Sequence, residues 1–146
     1  GQRQMCIRDS FNDVEDLMKN LRANPRCNGR VGVLGFCFGG RYAHVAAARL
    51  GADAAGAFHG TMIEANINEM PPTSCPISFH FGAEDPVVPI DTVELIRAAY
   101  VGHEAADIVA HDGAGHNFSM PYKEGYHAGV AAQSRKSVLE RFNAMK

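Results

Sequence analysis

Residues 31–40 read Val31-Gly32-Val33-Leu34-Gly35-Phe36-Cys37-Phe38-Gly39-Gly40, and their reading decides the fold. Val31–Phe36 is a short, continuously apolar run, the pattern of a strand buried on both faces of a parallel sheet. The glycine-rich turn after it leads into an alanine-rich segment, predicted as a helix from about Arg41 to Leu50, with Gly51 where a C-cap glycine belongs. Gly35-Phe36-Cys37-Phe38-Gly39 thus sits at a strand-to-helix turn as G-x-nucleophile-x-G, with cysteine in the serine place. A sharp turn strains the backbone at its apex and projects the apical side chain; bulk two positions either side would clash, which accounts for Gly35 and Gly39. The positive amino end of the following helix points at Cys37 and favours a thiolate, and the Phe38 N–H is placed to stabilise an oxyanion. Taken alone, the hexapeptide is as consistent with a buried cysteine in a glycine-rich loop. The lack of a following G-K-[ST] and of a G-x-G-x-x-G register argues against a phosphate-binding loop.

Working outward, Phe11, Val14, Leu17, Met18 and Leu21 recur at helical spacing, with Ser10 as candidate N-cap, and Asn24-Pro25 ends that helix. After the turn come strands at Ala54–Phe58, Pro76–Phe81 and Asp107–Ala110. Asp91 opens a helix through Tyr100, Glu94 completing a capping box, and Val130, Val138, Phe142 and Met145 give a last helix one apolar face. The irregular stretch from Gly60 to Cys75 is expected over the mouth of the site. About four strands alternating with helices predict an α/β fold with a parallel sheet. The first ten residues, GQRQMCIRDS, show neither an apolar period nor a strand pattern; they are read as a non-native leader, leaving 11–146 as the folded portion of one domain.

Two further residues join Cys37. Asp85 follows the third predicted strand in Gly82-Ala83-Glu84-Asp85-Pro86, and His116 follows the fourth in Ala114-Gly115-His116-Asn117-Phe118. Singly, each reads as a turn or surface residue. Together they give nucleophile, acid and histidine in the chain order of α/β-hydrolases, each just past the carboxyl end of a strand, where open α/β sheets build their sites.

The stretches VGVLGFCFGG, FHFGAEDPVVP and AGHNF resemble the dienelactone hydrolase family, from about Phe11 to the C-terminus. The resemblance implies a partial α/β-hydrolase fold and hydrolysis of a small-molecule carboxylic ester or lactone through a thioester acyl-enzyme. By it Cys37 is the nucleophile, Asp85 the triad acid and His116 the base, with no cofactor. It also implies that the chain is the C-terminal catalytic portion of such a domain: family members begin with several more strands, and that part supplies a second oxyanion N–H and a glutamate that meets the resting thiol. Losing one oxyanion donor costs on the order of 10²–10³ in rate. The family arginine that binds a substrate carboxylate falls here on Met120, which cannot form a bidentate pair, and this speaks against the dienelactone itself as substrate. His59, after the second strand, and Met120 are the candidate substrate-binding residues, and His59 reads equally well as a hydrogen-bonded structural histidine. The alternative is an impaired fragment, or a redox-sensing or binding protein that retains the elbow thiol.

Composition bounds the rest. The chain has 146 residues, 46% hydrophobic and 21% charged, as in one ordinary globular domain. A net charge of -2 without any Lys/Arg run argues against a nucleic-acid partner, and no apolar run is long enough to span a bilayer. Cys6, Cys27, Cys37 and Cys75 lie far apart without C-x-x-C pairing, which fits a reducing, cytoplasmic setting. His80 alternates with Phe79 and Phe81 as a structural position. His44, His103, His111 and His127 share no metal-ligand spacing with a carboxylate, so no metal site is expected. A first strand with one bare apolar edge is expected to be aggregation-prone.

Overall fold

The computed structural model describes residues 2–145, with side chains from residue 9 onward. The elements run α1 (Gln2–Ala23), β1 (Gly32–Phe36), α2 (Gly39–Ala48), β2 (Ala54–Phe58), a 3-10 turn (Ile63–Asn66), β3 (Ile77–Gly82), α3 (Ile90–Ala99), β4 (Ala106–His111) and α4 (Ala128–Asn143). The four strands form one parallel sheet in the order β1-β2-β3-β4. Register runs from Gly32 opposite Ala54 and Ala55 opposite Ile77 to Gly82 opposite His111. Every strand therefore ends at the same edge, and the loops leaving them converge there.

The two sheet faces carry different chemistry because strand side chains alternate. One face presents Ala55, Ala57, Ile77, Phe79 and Phe81, all buried against Ala43 and Ala47 of α2 and Val93 and Ile96 of α3. The other meets α4. There β1 and β2 offer little bulk: a Cβ on Gly32 would lie 2.8 Å from the Phe142 ring, and one on Gly56 3.0 Å from Val138. Glycine at these positions lets α4 lie close to the strands. β3 and β4 put Ser78, His80 and His111 on this face, and they satisfy one another: Ser78 Oγ lies 2.7 Å from His80 Nε2, and His80 Nδ1 lies 2.9 Å from His111 Nε2. His80 thus holds the structural position its alternation suggested.

Several local expectations are corrected. α1 begins at Gln2 rather than near Phe11, so Ser10 lies inside the helix and is no N-cap. The opening residues lack an apolar period, yet Gln, Arg and Met are strong helix formers and neither Gly nor Pro interrupts them after Gly1. Phe11 and Met18 are buried, while Leu17 and Leu21 point to solvent. The α3 cap is Pro89, without a side-chain hydrogen bond, and Glu94 pairs with Arg97, so no Asp91–Glu94 capping box forms. Met145 lies beyond the end of α4. β1 is an edge strand, not one buried on both faces: Leu34 and Phe36 are each 42% exposed. The Cys6 side chain lies outside the described residues. Among the described residues no helix is long and apolar enough to cross a membrane.

Candidate active site

The turn after β1 has the strained geometry that its glycines foretell. Cys37 adopts φ +51°, in the left-handed region. Its N–H donates to Phe58 O at 3.2 Å, and its carbonyl accepts from Gly40 N at 3.0 Å and Thr61 N at 2.7 Å. The neighbouring Phe38 N–H takes no part in these bonds. A Cβ on Gly35 would lie 2.0 Å from Gly39 O, so Gly35 is required as expected. Gly39 is not: a Cβ there would meet nothing within 4 Å. The close approach falls on Gly40, whose Cβ would lie 2.5 Å from Gly60 Cα.

The loop after β3 brings in a buried carboxylate. Asp85 is 3% exposed. Its Oδ1 accepts from Val87 N at 2.7 Å and Val88 N at 3.2 Å, which orients Oδ2. Oδ2 accepts from His116 Nδ1 at 2.7 Å. That bond fixes the His116 tautomer and leaves Nε2 with its lone pair free to act.

Cys37 Sγ has its nearest partners elsewhere. It lies 3.1 Å from His59 Nδ1 and donates to Asn117 Oδ1 at 3.4 Å. His59 Nε2 in turn lies 2.7 Å from Ser119 Oγ. Ligand atoms of Cys37, His59 and His116 all fall within 4.8 Å of one another. His59, expected on the wall of the substrate pocket, is fully buried and touches the thiol itself. Met120 closes the turn begun at Asn117, its N–H donating to Asn117 O at 3.0 Å.

Backbone strain marks the same place. Among the described residues four non-glycine residues have positive φ: Cys37, His59, Met62 and Asn117. Three of these four are the residues whose side chains meet at the sulfur. Each such residue costs of order 1–3 kcal/mol and persists only where the surrounding structure holds it. Their concentration at one atom is an observation about function as much as about folding.

The electrostatics separate the two histidines. Burial, reinforced by the neighbouring His116, pulls His59 down to about 4, so it is neutral near pH 7. Asp85 hydrogen-bonds to His116 and acts on His59 only through its charge, whereas the ring of His59 meets Cys37 and Ser119. The thiol differs from expectation. Burial first, and then the negative charge of Asp85, hold Cys37 above the ordinary thiol value, with Lys123 opposing them.

Comparison with known proteins places this arrangement. The sequence profile described as "Dienelactone hydrolase family" matches residues 3–146. The chain belongs to the dienelactone hydrolase family. It is 30% identical over 128 residues to a carboxymethylenebutenolidase of Pseudomonas putida, covering 88% of this chain and 54% of that protein. It is 32% identical over 144 residues to carboxymethylenebutenolidase 1 of Cupriavidus pinatubonensis, covering 99% and 61%. The chain therefore spans a little over half the length of these curated relatives. The crystal structure of a putative dienelactone hydrolase from Klebsiella pneumoniae superposes with a TM-score of 0.75 at 26% identity, over 91% of this chain and 60% of that one. The fold is that of these α/β-hydrolase relatives.

Within this family fold, sequence reasoning points to His59 as a pocket residue but not to its contact with the thiol, reaches Asn117 only as part of AGHNF, and does not reach Ser119. Nothing in their spacing announces them, because they meet Cys37 through loops leaving different strands. The remaining histidines have structural tasks. His44 Nδ1 lies 2.8 Å from Tyr100 Oη, and its Nε2 donates to Glu69 O at 2.9 Å. His103 Nε2 donates to Pro71 O, and the His127 side chain caps α4 by accepting from Val130 N. Cys27, Cys37 and Cys75 are free thiols.

Proposed function

We propose that the chain carries the nucleophile, base and acid of a carboxylic ester or lactone hydrolase. The observation that carries this reading is the Asp85–His116 hydrogen bond of 2.7 Å with the Cys37 sulfur beside it, at the carboxyl edge of a parallel sheet. In this reading the thiol rests on His59 and Asn117 and turns toward His116 Nε2 when a substrate carbonyl arrives. His116 takes the proton, Asp85 stabilises the resulting imidazolium, and sulfur attacks the carbonyl carbon. The Phe38 N–H donates to the developing oxyanion. His116 then protonates the leaving oxygen, and water activated by the same imidazole hydrolyses the thioester. A thiolate leaves readily, so the tetrahedral intermediate partitions forward only when the alcohol also leaves well. This favours activated esters and enol lactones. Met120 offers no charge to a substrate carboxylate.

The raised thiol value favours this reading over a redox sensor. Sensor cysteines are low-pKa thiolates that oxidise unaided, whereas a thiol held protonated needs the base that His116 provides. The test is hydrolysis of p-nitrophenyl acetate by the wild type, Cys37→Ala and Asp85→Asn. Cys37→Ala is expected to abolish turnover, and Asp85→Asn to lower it by about 10³–10⁴ through loss of the His116 tautomer. Equal rates in all three would defeat the hydrolase reading.

A further inference from the structure

Beyond hydrolysis, we infer that Cys37, His59 and His116 form a three-ligand site for a zinc ion, with a fourth position open to water. The donors are one sulfur and two imidazole nitrogens, the set that zinc prefers among biological divalent ions. They come from the ends of β1, β2 and β4, and the donor atoms lie within 4.8 Å of one another. Tetrahedral zinc with ordinary bond lengths spaces a sulfur and a nitrogen about 3.6 Å apart, and two nitrogens about 3.3 Å. The present Cys37–His59 separation is 3.1 Å, so a movement of about half an ångström there accommodates the ion.

A second feature makes this more than three neighbouring donors. Zinc-binding histidines almost always use one ring nitrogen for the metal and give the other to a fixed partner. Both histidines here are already arranged so. His116 Nδ1 is held by Asp85, leaving Nε2 for the metal. His59 Nε2 is held by Ser119 Oγ at 2.7 Å, leaving Nδ1, the nitrogen that faces the sulfur. Asp85 is itself fixed by two backbone N–H groups. The outer partners that set ring orientation in zinc proteins are therefore built in before any metal arrives. Access is open as well, since Cys37 and His116 are only partly buried while His59 forms the floor.

Binding exchanges the Cys37 thiol proton for Zn²⁺, the sulfur coordinating as thiolate and each imidazole through a ring-nitrogen lone pair. The metal ties up the atom that would attack a carbonyl, and the predicted consequence is a thiol silenced reversibly by zinc. The site stands or falls on its ligands, independently of whether the chain hydrolyses esters.

The experiment uses the full chain with Co²⁺ as spectroscopic probe and Zn²⁺ as competitor. One Co²⁺ per chain is expected, with a sulfur-to-cobalt charge-transfer band and the visible bands of tetrahedral coordination, both displaced by Zn²⁺. Cys37→Ser keeps every other cysteine and is expected to lose the charge-transfer band. His59→Gln is expected to weaken Zn²⁺ by at least tenfold, and Asp85→Asn, acting through His116, by about 10–100-fold. Iodoacetamide labelling of Cys37, read by peptide mass spectrometry, is expected to stop in saturating Zn²⁺ and to resume with chelator. Circular dichroism melts establish that each variant is folded; were His59→Gln unfolded, the Cys37→Ser comparison and the labelling decide alone. A charge-transfer band that survives Cys37→Ser, octahedral cobalt without sulfur, or labelling unchanged by Zn²⁺ would each overturn the site.

Discussion

At the scale of single residues, the sulfur of Cys37 is governed by its burial and by two charged neighbours. Burial and Asp85 raise it, and Lys123, exposed on the loop after Met120, lowers it. Because the thiolate is the reacting species, alkylation of Cys37 is expected to accelerate about tenfold per pH unit through neutrality, with its midpoint above that of a free thiol. Lys123→Gln removes the opposing charge and should slow alkylation at fixed pH by about twofold, an effect that fades with added salt. Rates of iodoacetamide labelling measured against pH check both; a midpoint below the free-thiol value would contradict the balance described. The turn itself was legible in the sequence, because Gly35 and the apolar run before it permit little else. The sign of the thiol shift was not. It depends on burial and on Asp85, 48 positions along the chain by residue number.

At the scale of elements, the hidden feature is the polar ribbon on the sheet face that α4 covers. His80 is fully enclosed, and burial together with His111 draws it down to about 4. In the unfolded chain an imidazole titrates near 6.5. Between those two values the unfolded chain binds a proton that folded His80 does not. Stability from this group is therefore complete above 6.5, falls as the pH drops from 6.5 to 4, and is flat below. The loss is on the order of 3 kcal/mol. Urea denaturation of the wild type and of His80→Gln at pH 7 and about pH 4.5 isolates it: the variant is expected to show the smaller acid loss. Identical losses would show that His80 titrates normally. Strands β2, β3 and β4 are legible within a residue or so, because a strand covered by helices is mostly apolar and the few polar side chains in β3 and β4 do not break the runs. Helix starts were located less well. α3 begins on Pro89 without a side-chain cap, and α1 reaches back to Gln2, and neither is foretold by hydrophobic period alone.

At the scale of the whole molecule, β1 forms one end of the sheet and bears side chains that a parallel sheet normally hides. Leu34, Phe36 and Phe38 are all more than two-fifths exposed, side by side along β1 and its turn. An apolar strand at an open edge is a template for pairing with another chain. The chain is expected to self-associate with rising concentration, and Leu34→Lys to shift it toward monomer by placing a charge on that strand. Size-exclusion chromatography over a concentration series reads this directly; a wild type that elutes as a monomer throughout would refute it. The bare edge was legible in the sequence as a consequence of counting strands. The companions of Cys37 at this scale were not, since four loops must fold before sulfur, imidazoles and carboxylate share one edge.

The contact between Gly40 and Gly60 has a mechanical meaning. With no side chain on either residue, the loops leaving β1 and β2 are pressed backbone to backbone, and Thr61 N–H donating to Cys37 O closes the seam. The elbow and the segment carrying His59 are thereby held together by main chain alone, so the spacing of sulfur and imidazole there is set by the backbone rather than by side-chain packing.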